Sequence, residues 1–269
     1  MTSRFAPRIV LQTSSLCHVL KRGECPFEIL RLRTQEVAEY YSHTLCRDSN
    51  ECVCVLAQLC GTPFSYVDIA YHEETLYVGE LSGRKDAWRV PFGRAHMNNL
   101  PTREFSDRSL PDVMLGVCVI ARNSKTEQVL VAKRGASAMT FPNTFVYPGG
   151  HIEPGESLQA CGSREIREET NIDVNQDSLR PVCLWLSTYP ERLPMKAQHL
   201  VLVLEGTAAS SEIRIDPAEL DQALWMTPQQ VVELAHTDDA NNDFRIVPEG
   251  HLFATHLLLE SQGTSAQHR

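Results

Sequence analysis

No run of about 18 apolar residues occurs in the 269-residue chain, so no membrane-spanning helix is expected. No apolar secretory core stands near the start. There is no C-x-x-C pair, no internal repeat and no low-complexity block. Basic charge is also short. Lys and Arg number 25 against 34 Asp and Glu, a net charge of −9. Residues 1–108 carry 13 of each sign, so the whole acidic excess lies in 109–269. A broad basic tract for a nucleic-acid backbone is thereby disfavoured. A carboxylate cluster that needs a metal is the more natural expectation for the second half.

What is present is ordinary globular material, 42% hydrophobic and 22% charged. A chain this long buries roughly 73% of its extended surface as one body, enough for one long domain or two. Nine cysteines leave at least one unpaired. Cys17, Cys25, Cys46, Cys52, Cys54 and Cys60 crowd the first 60 residues. The last four could be metal ligands, but their spacing is not that of a zinc ribbon. They read as reduced core thiols, which points to a cytoplasmic setting. The first 23 residues hold Arg4, Arg8, Lys21 and Arg22 and no acid before Glu24, so mitochondrial import is the lesser alternative. The competing reading there is a first strand, Arg8 to Gln12.

Pro91 to Pro111 is the expected boundary, with Gly93, Asn98, Asn99, Pro101 and Ser106 between them. Before it, 27–60 reads as helical and 65–80 as two strands about His72-Glu73-Glu74. After it come apolar strand patterns at Val113–Ala121 and Gln128–Ala132, joined by a turn at Asn123-Ser124-Lys125. Further strands are expected at Thr144–Tyr147, Pro181–Ser187, His199–Leu204 and Leu224–Met226. Helices are expected at Ser157–Thr170, at Pro228–His236 behind a Thr227 cap, and at Leu252–Ser261. This order implies a layered α/β domain over 112–260. A smaller α+β region of unknown role, 1–105, precedes it and is too apolar over 27–80 to be a disordered tail.

The chemistry concentrates between Gly149 and Ile172. Glu165, Glu168 and Glu169 stand at i, i+3 and i+4 and share one helix face. Arg164 and Arg167 relieve part of their repulsion. A divalent cation relieves more, and hard carboxylate oxygens suit Mg²⁺ or Mn²⁺. Pro148-Gly149-Gly150 lets the backbone turn and come close to a ligand. An ordinary solvated acidic face is the bland alternative, and charge alone favours it.

The spacing is more specific than the charge. Gly150, Glu156, Arg164, Glu165, Glu168 and Glu169, with Ile166 and Ile172, resemble the Nudix box, Gly-x5-Glu-x7-Arg-Glu-U-x-Glu-Glu-x-Gly-U with U aliphatic. Six such fixed matches arise by chance at ~2 in 100,000 in a chain this long. Asn171 stands where the box has its last Gly, which bears on the helix exit. Val131–Arg134 and Phe145–Gly150 are similar to the two strands before the family's catalytic helix. Glu219, Trp225 and Pro228 are similar to the elements that close its fold.

That resemblance implies an α/β/α sandwich around a mixed sheet and cleavage of a nucleoside diphosphate linked to another group. It implies metal ligation by Glu165, Glu168, Glu169 and the Gly149 carbonyl. Glu165 would take the proton from water, Arg164 would orient the carboxylates, and Glu156 would sit near the metals or brace the loop. Within the family, Leu115–Ile120, Pro148–Glu153 and Tyr189–Leu193 with Lys196 and His199 resemble the vertebrate branch numbered seventeen, described as cleaving methylated mRNA caps.

The substrate implied is a capped RNA 5′ end. Small nucleotides such as ADP-ribose, NADH or dinucleoside polyphosphates, or a non-catalytic binding module, are the alternatives. Phe141 and Tyr189 are candidates to stack on a cationic base. Lys196 and His199 are candidates for phosphate or base. Each also has a bland reading, as surface residues or a structural histidine. Trp185 and Trp225 read as core.

Overall fold

The computed structural model describes residues 8–12, 65–79, 81, 83–94, 113–138, 141–188, 198–237 and 246–266. The helix expected over 27–60 and the clustered cysteines lie outside these residues. The chain divides into two compact units. One takes Met1–Leu115 with Trp185–Leu200, the other Gly116–Leu184 with Val201–Arg269.

In the first unit, β1 (Arg8–Gln12) runs parallel to β3 (Thr75–Gly79), and β2 (Ser65–His72) runs antiparallel to β3. The β2–β3 turn is Glu73-Glu74, with φ of 47° and 57°. Two left-handed residues are what a two-residue hairpin needs to match strand twist. The fourth strand, β4 (Trp88–Arg94), pairs with β2 and was not expected. Pro91 and Gly93 therefore sit inside a strand, where the sequence suggested the start of a linker. Pro91 removes one donor only, and Val90 and Phe92 around it keep strand alternation. Both are buried, with Val67, Ile69, Leu76 and Val78, on one side of this sheet.

The second unit holds β6, β11 and the larger part of β5, β9 and β10, strands in the order β9-β10-β5-β6-β11. These are β5 (Val113–Arg122), β6 (Val129–Arg134), β9 (Arg180–Thr188), β10 (Gln198–Thr207) and β11 (Leu220–Met226). Short β7 (Phe145–Val146) pairs with β6, and β8 (Gly149–His151) with β5. The β5–β6 hairpin closes through Asn123, whose N–H donates to Gln128 O at 2.8 Å.

Alternation along β5 sends its side chains to two layers. Val117 and Val119 face α1 (Leu158–Thr170): a Cβ on Gly162 of that helix would meet Val119 at 2.8 Å and Val117 at 3.3 Å. Ile120 and the partly buried Cys118 face the opposite layer, where they pack with Val231, Ala235, Ala254 and Leu258. That layer is α2 (Pro228–Ala235) and α3 (Glu249–Ala266). The arrangement is an α/β/α sandwich.

The helix ends follow local chemistry. Ser157 caps α1 by accepting from Ala160 N at 3.1 Å. Asn171 ends it at φ 57°, so Asn itself takes the left-handed exit for which Gly is the commonest choice. Thr227 and Gln230 form a reciprocal capping box before α2, with Pro228 at its first turn. Among the described residues no helix is long and apolar enough to cross a membrane.

Candidate active site

Pro148-Gly149-Gly150 is expected from sequence to turn, and its two glycines are instead extended in β8. Neither glycine has a positive φ. Their function is close approach. A Cβ on Gly149 would overlap the Val117 carbonyl and Cys118 Cα of β5, and one on Gly150 would overlap the Glu165 carboxylate. The two missing side chains thus let β8 lie flat between β5 and the acidic face of α1.

Arg164 organises that face. Its guanidinium holds Glu156 bidentately, Nε to Oε1 at 2.7 Å and Nη2 to Oε2 at 3.0 Å. The same group donates to Glu165 Oε1 at 2.8 Å, Glu168 Oε2 at 3.1 Å and His151 O at 3.1 Å. This carboxylate company raises the Arg164 pKa, led by the Glu156 hydrogen bond. Burial works against charge on Glu156, yet the Arg164 bonds and the Glu153 N–H hold its carboxyl below the usual value.

Three box carboxylates differ sharply in surroundings. Glu168 is 61% exposed, Glu165 is 14% exposed and Glu169 is nearly buried at 3%. Glu169 Oε2 accepts the Gly149 N–H at 3.1 Å. Burial raises the Glu165 pKa; Arg164 opposes this, and Glu168 and Glu219 add to it. Burial pushes Glu169 up to about 8; Arg134 opposes this, and Glu165 and Glu219 add to it. Cys118, beside them, is driven by burial to about 12 and remains a thiol.

Gly149 and the box residues Glu156, Arg164, Glu165, Glu168 and Glu169 therefore meet around one guanidinium and one backbone N–H. Among the described residues no group of three His, Cys, Asp or Glu is gathered tightly enough to hold a metal ion as it stands. The donor chemistry nevertheless fits a hard cation. Glu169 is buried and Glu165 largely so, the charge of Glu165 helps raise the Glu169 pKa, and oxygen donors of this kind suit Mg²⁺ or Mn²⁺.

Two residues that bear on this charge were read from sequence only as parts of strands. Arg134 ends β6 and favours the ionised form of Glu169. Glu219 precedes β11, accepts the Gly135 N–H at 3.2 Å through its carbonyl, and disfavours ionisation of Glu165 and Glu169. The available signal was an Arg closing a strand that begins apolar and an acid just before the next one in the sheet.

The substrate candidates fare differently. Phe141 lies in the loop before β7, half buried, at φ 50°, a strained conformation for a large residue. Thr144, fully buried, donates its hydroxyl to Phe141 O at 2.8 Å and helps hold that shape. His199 lies in β10. Tyr189 and Lys196 lie outside the described residues. Trp185 is buried, as expected; Trp225 is half buried and donates its indole N–H to Ser211 O at 2.9 Å. An open cavity of about 610 Å³ follows the outer side of α1, past Arg164, Arg167, Glu168 and Asn171. Neither Glu165, Glu169 nor Phe141 lines it, so it is not the space over the buried carboxylates.

A family model described as NUDIX domain matches residues 113–249. The m7GpppN-mRNA hydrolase NUDT17 of Danio rerio is 31% identical over 179 residues, 59% of this chain and 59% of that protein. Its Homo sapiens counterpart is 33% identical over 148 residues, 51% of this chain and 45% of that protein. The matched stretch thus spans about half the length of these relatives. The NUDIX domain of Shewanella oneidensis NrtR, solved with ADP ribose, covers 59% of this chain and 94% of that chain at 15% identity and a TM-score of 0.44. With the box residues assembled on α1 and β8 and the family model matched over 113–249, the chain belongs to the Nudix family.

Proposed function

We propose that the chain hydrolyses a phosphoric anhydride in a nucleotide, with Mg²⁺ or Mn²⁺ as cofactor, and that its substrate is a methylguanosine 5′ cap. The observation that carries the reaction class is the largely buried Glu165 and the buried Glu169, held by Arg164 and the Gly149 N–H respectively. Support for the cap is that the relatives from Danio rerio and Homo sapiens are m7GpppN-mRNA hydrolases.

Glu165, Glu168, Glu169 and the Gly149 carbonyl would hold the cation. When bound, it would neutralise charge on the bridging phosphates and lower the pKa of a water. The residues supply the rest. Arg164 fixes the carboxylates so that their charge is in place before reaction, which is where electrostatic catalysis gains most. Glu165, with its pKa raised by burial, is the carboxylate placed to accept the proton from attacking water. Glu156 holds Arg164 from the far side. Phe141, fixed in a strained loop beside β7, is the aromatic surface offered to the base. Tyr189, Lys196 and His199 are assigned to the same substrate on the strength of the sequence resemblance.

The test is a substrate panel with Mg²⁺ or Mn²⁺, its products weighed by mass spectrometry. A dinucleotide cap analogue should release methylated guanosine diphosphate, nearly as fast as capped RNA and with weak salt dependence. An inert cap with rapid cleavage of ADP-ribose or NADH would move the substrate to small nucleotides. No cleavage of any anhydride would leave a binding module.

A further inference from the structure

Tyr147, two residues before Gly149, is held at both polar ends by α3. His251 is 5% exposed, and its Nδ1 accepts the Tyr147 backbone N–H at 3.2 Å. The two rings lie 5.6 Å apart, tilted by 56°. One helical turn on, Thr255 donates its hydroxyl to His251 O at 2.7 Å. A threonine has one hydroxyl hydrogen, so the Tyr147 hydroxyl, 2.7 Å away, donates to Thr255.

From Tyr147 the chain runs straight into the site. Pro148 has a fixed φ and passes a displacement on rather than absorbing it. Its carbonyl accepts the Val119 N–H at 2.8 Å, and the next N–H, that of Gly149, is the one that holds Glu169. Core packing alone would be served by a leucine at 251. Leucine has no acceptor, and a buried N–H without one is costly. An imidazole on a buried helix face is therefore best explained by what its Nδ1 accepts.

We infer that His251 is a positioning residue: it seats the Tyr147 backbone and, through Pro148, the Gly149–Gly150 segment against which Glu169 and Glu165 are set. The catalytic consequence rests on the metal-dependent hydrolase proposed above; the positioning itself does not.

Three variants of the full chain decide it. His251→Leu keeps bulk and removes the acceptor. His251→Asn returns a carbonyl near the place of Nδ1. Thr255→Val cuts only the hydroxyl end. In metal-free protein, amide exchange of 147–151, read by mass spectrometry, should rise at least ~10-fold in His251→Leu, the scale of one lost hydrogen bond. It should return most of the way in His251→Asn and stay unchanged in Thr255→Val. Mn²⁺ affinity, read by electron paramagnetic resonance, should follow the same order, weakening at least ~10-fold in the leucine variant.

Exchange equal to the unaltered chain in His251→Leu, or equally fast in Thr255→Val, overturns the proposal. If the leucine variant does not fold, His251→Gln, whose acceptor sits further out, replaces it under the same criterion. Exchange as expected, with no Mn²⁺ binding by the unaltered chain, keeps the positioning and overturns the metal-dependent reading instead.

Discussion

On the α1 side of the second unit's sheet the ionisable groups taken out of water are carboxylates, Glu169 buried and Glu165 largely so, and their pKa values are raised although Arg164 opposes this at Glu165 and Arg134 at Glu169. On the α2–α3 side they are neutral, and Tyr147, His251 and Thr255 satisfy one another. Both layers rest on the same strand, β5. The difference separates two uses of buried polarity. A closed neutral network holds a unique packing, whereas a surplus of like charge raises the energy of the ligand-free protein and is relieved by a cation.

The sharpest way to break this contrast is to neutralise the charged layer. Glu168→Gln and Glu169→Gln should each lower metal-dependent turnover at least ~100-fold, the scale of one lost electrostatic group. Folding should survive, and Glu169→Gln should melt no lower than the unaltered chain, because the lost repulsion offsets lost contacts. Steady-state kinetics and calorimetry on both variants check this. Near-normal turnover in both would dissolve the distinction between the layers.

Closer to the strand, Gly149→Ala forces a methyl into β5 backbone and should cost roughly 1–3 kcal/mol, as overpacking does. Gly150→Ala meets a movable carboxylate instead, so it should cost less stability and more turnover. Urea melts paired with rate measurements resolve the two. Equal profiles would mean that β8 serves only as packing.

The neutral layer has its own pH signature. Burial, helped by Arg134, lowers the His251 pKa from 6.5 to about 3. Below 6.5 the unfolded chain takes up a proton that the folded chain refuses, so stability is full above that value. It falls as pH drops from 6.5 towards 3. At pH 5 the loss is about 2 kcal/mol relative to pH 8. Denaturant melts against pH check this, and His251→Asn should flatten the slope between pH 6.5 and 4. An equal slope in that variant would assign the effect to other groups.

The smallest expected effect is at Thr227, whose replacement by Ala removes the α2 capping box at a cost of about 1 kcal/mol. Turnover should not change, since this end of the neutral layer touches none of the box residues. A rate loss beyond twofold would show the layers to be more closely linked than the hydrogen bonds indicate.

Much of the second unit was legible because its signals are local. Ser157 to Thr170 carries its own cap, helical run and exit, and the box residues sit within that run or just before it. Thr227-Pro228 announces α2 in the same way. What is not legible in the sequence depends on residues far apart in the chain. β8 is a strand because Val117 and Cys118 approach it, and its Gly-Gly sequence has little strand preference of its own. β4 was hidden behind Pro91. Arg134 and Glu219 act on Glu169 through space from separate strands, and Tyr147 meets His251 across 104 residues. Spacing in a sequence records helix faces well and sheet neighbours poorly, because pairing partners carry no fixed offset.

The Glu73-Glu74 turn has a consequence for the order in which the first unit forms. Two-residue hairpins that close unaided use Asn-Gly or similar pairs, which enter the left-handed region at little cost. Two glutamates do so reluctantly, and they bring like charges to the tip. The β2–β3 hairpin is thus a poor place to begin folding, even though it is the shortest connection between the described strands of the unit. Its closure must draw on β1, which pairs with β3, and on β4, which pairs with β2. Assembly of this sheet is therefore tied to contacts distant in sequence, and its rate to how fast those ends meet.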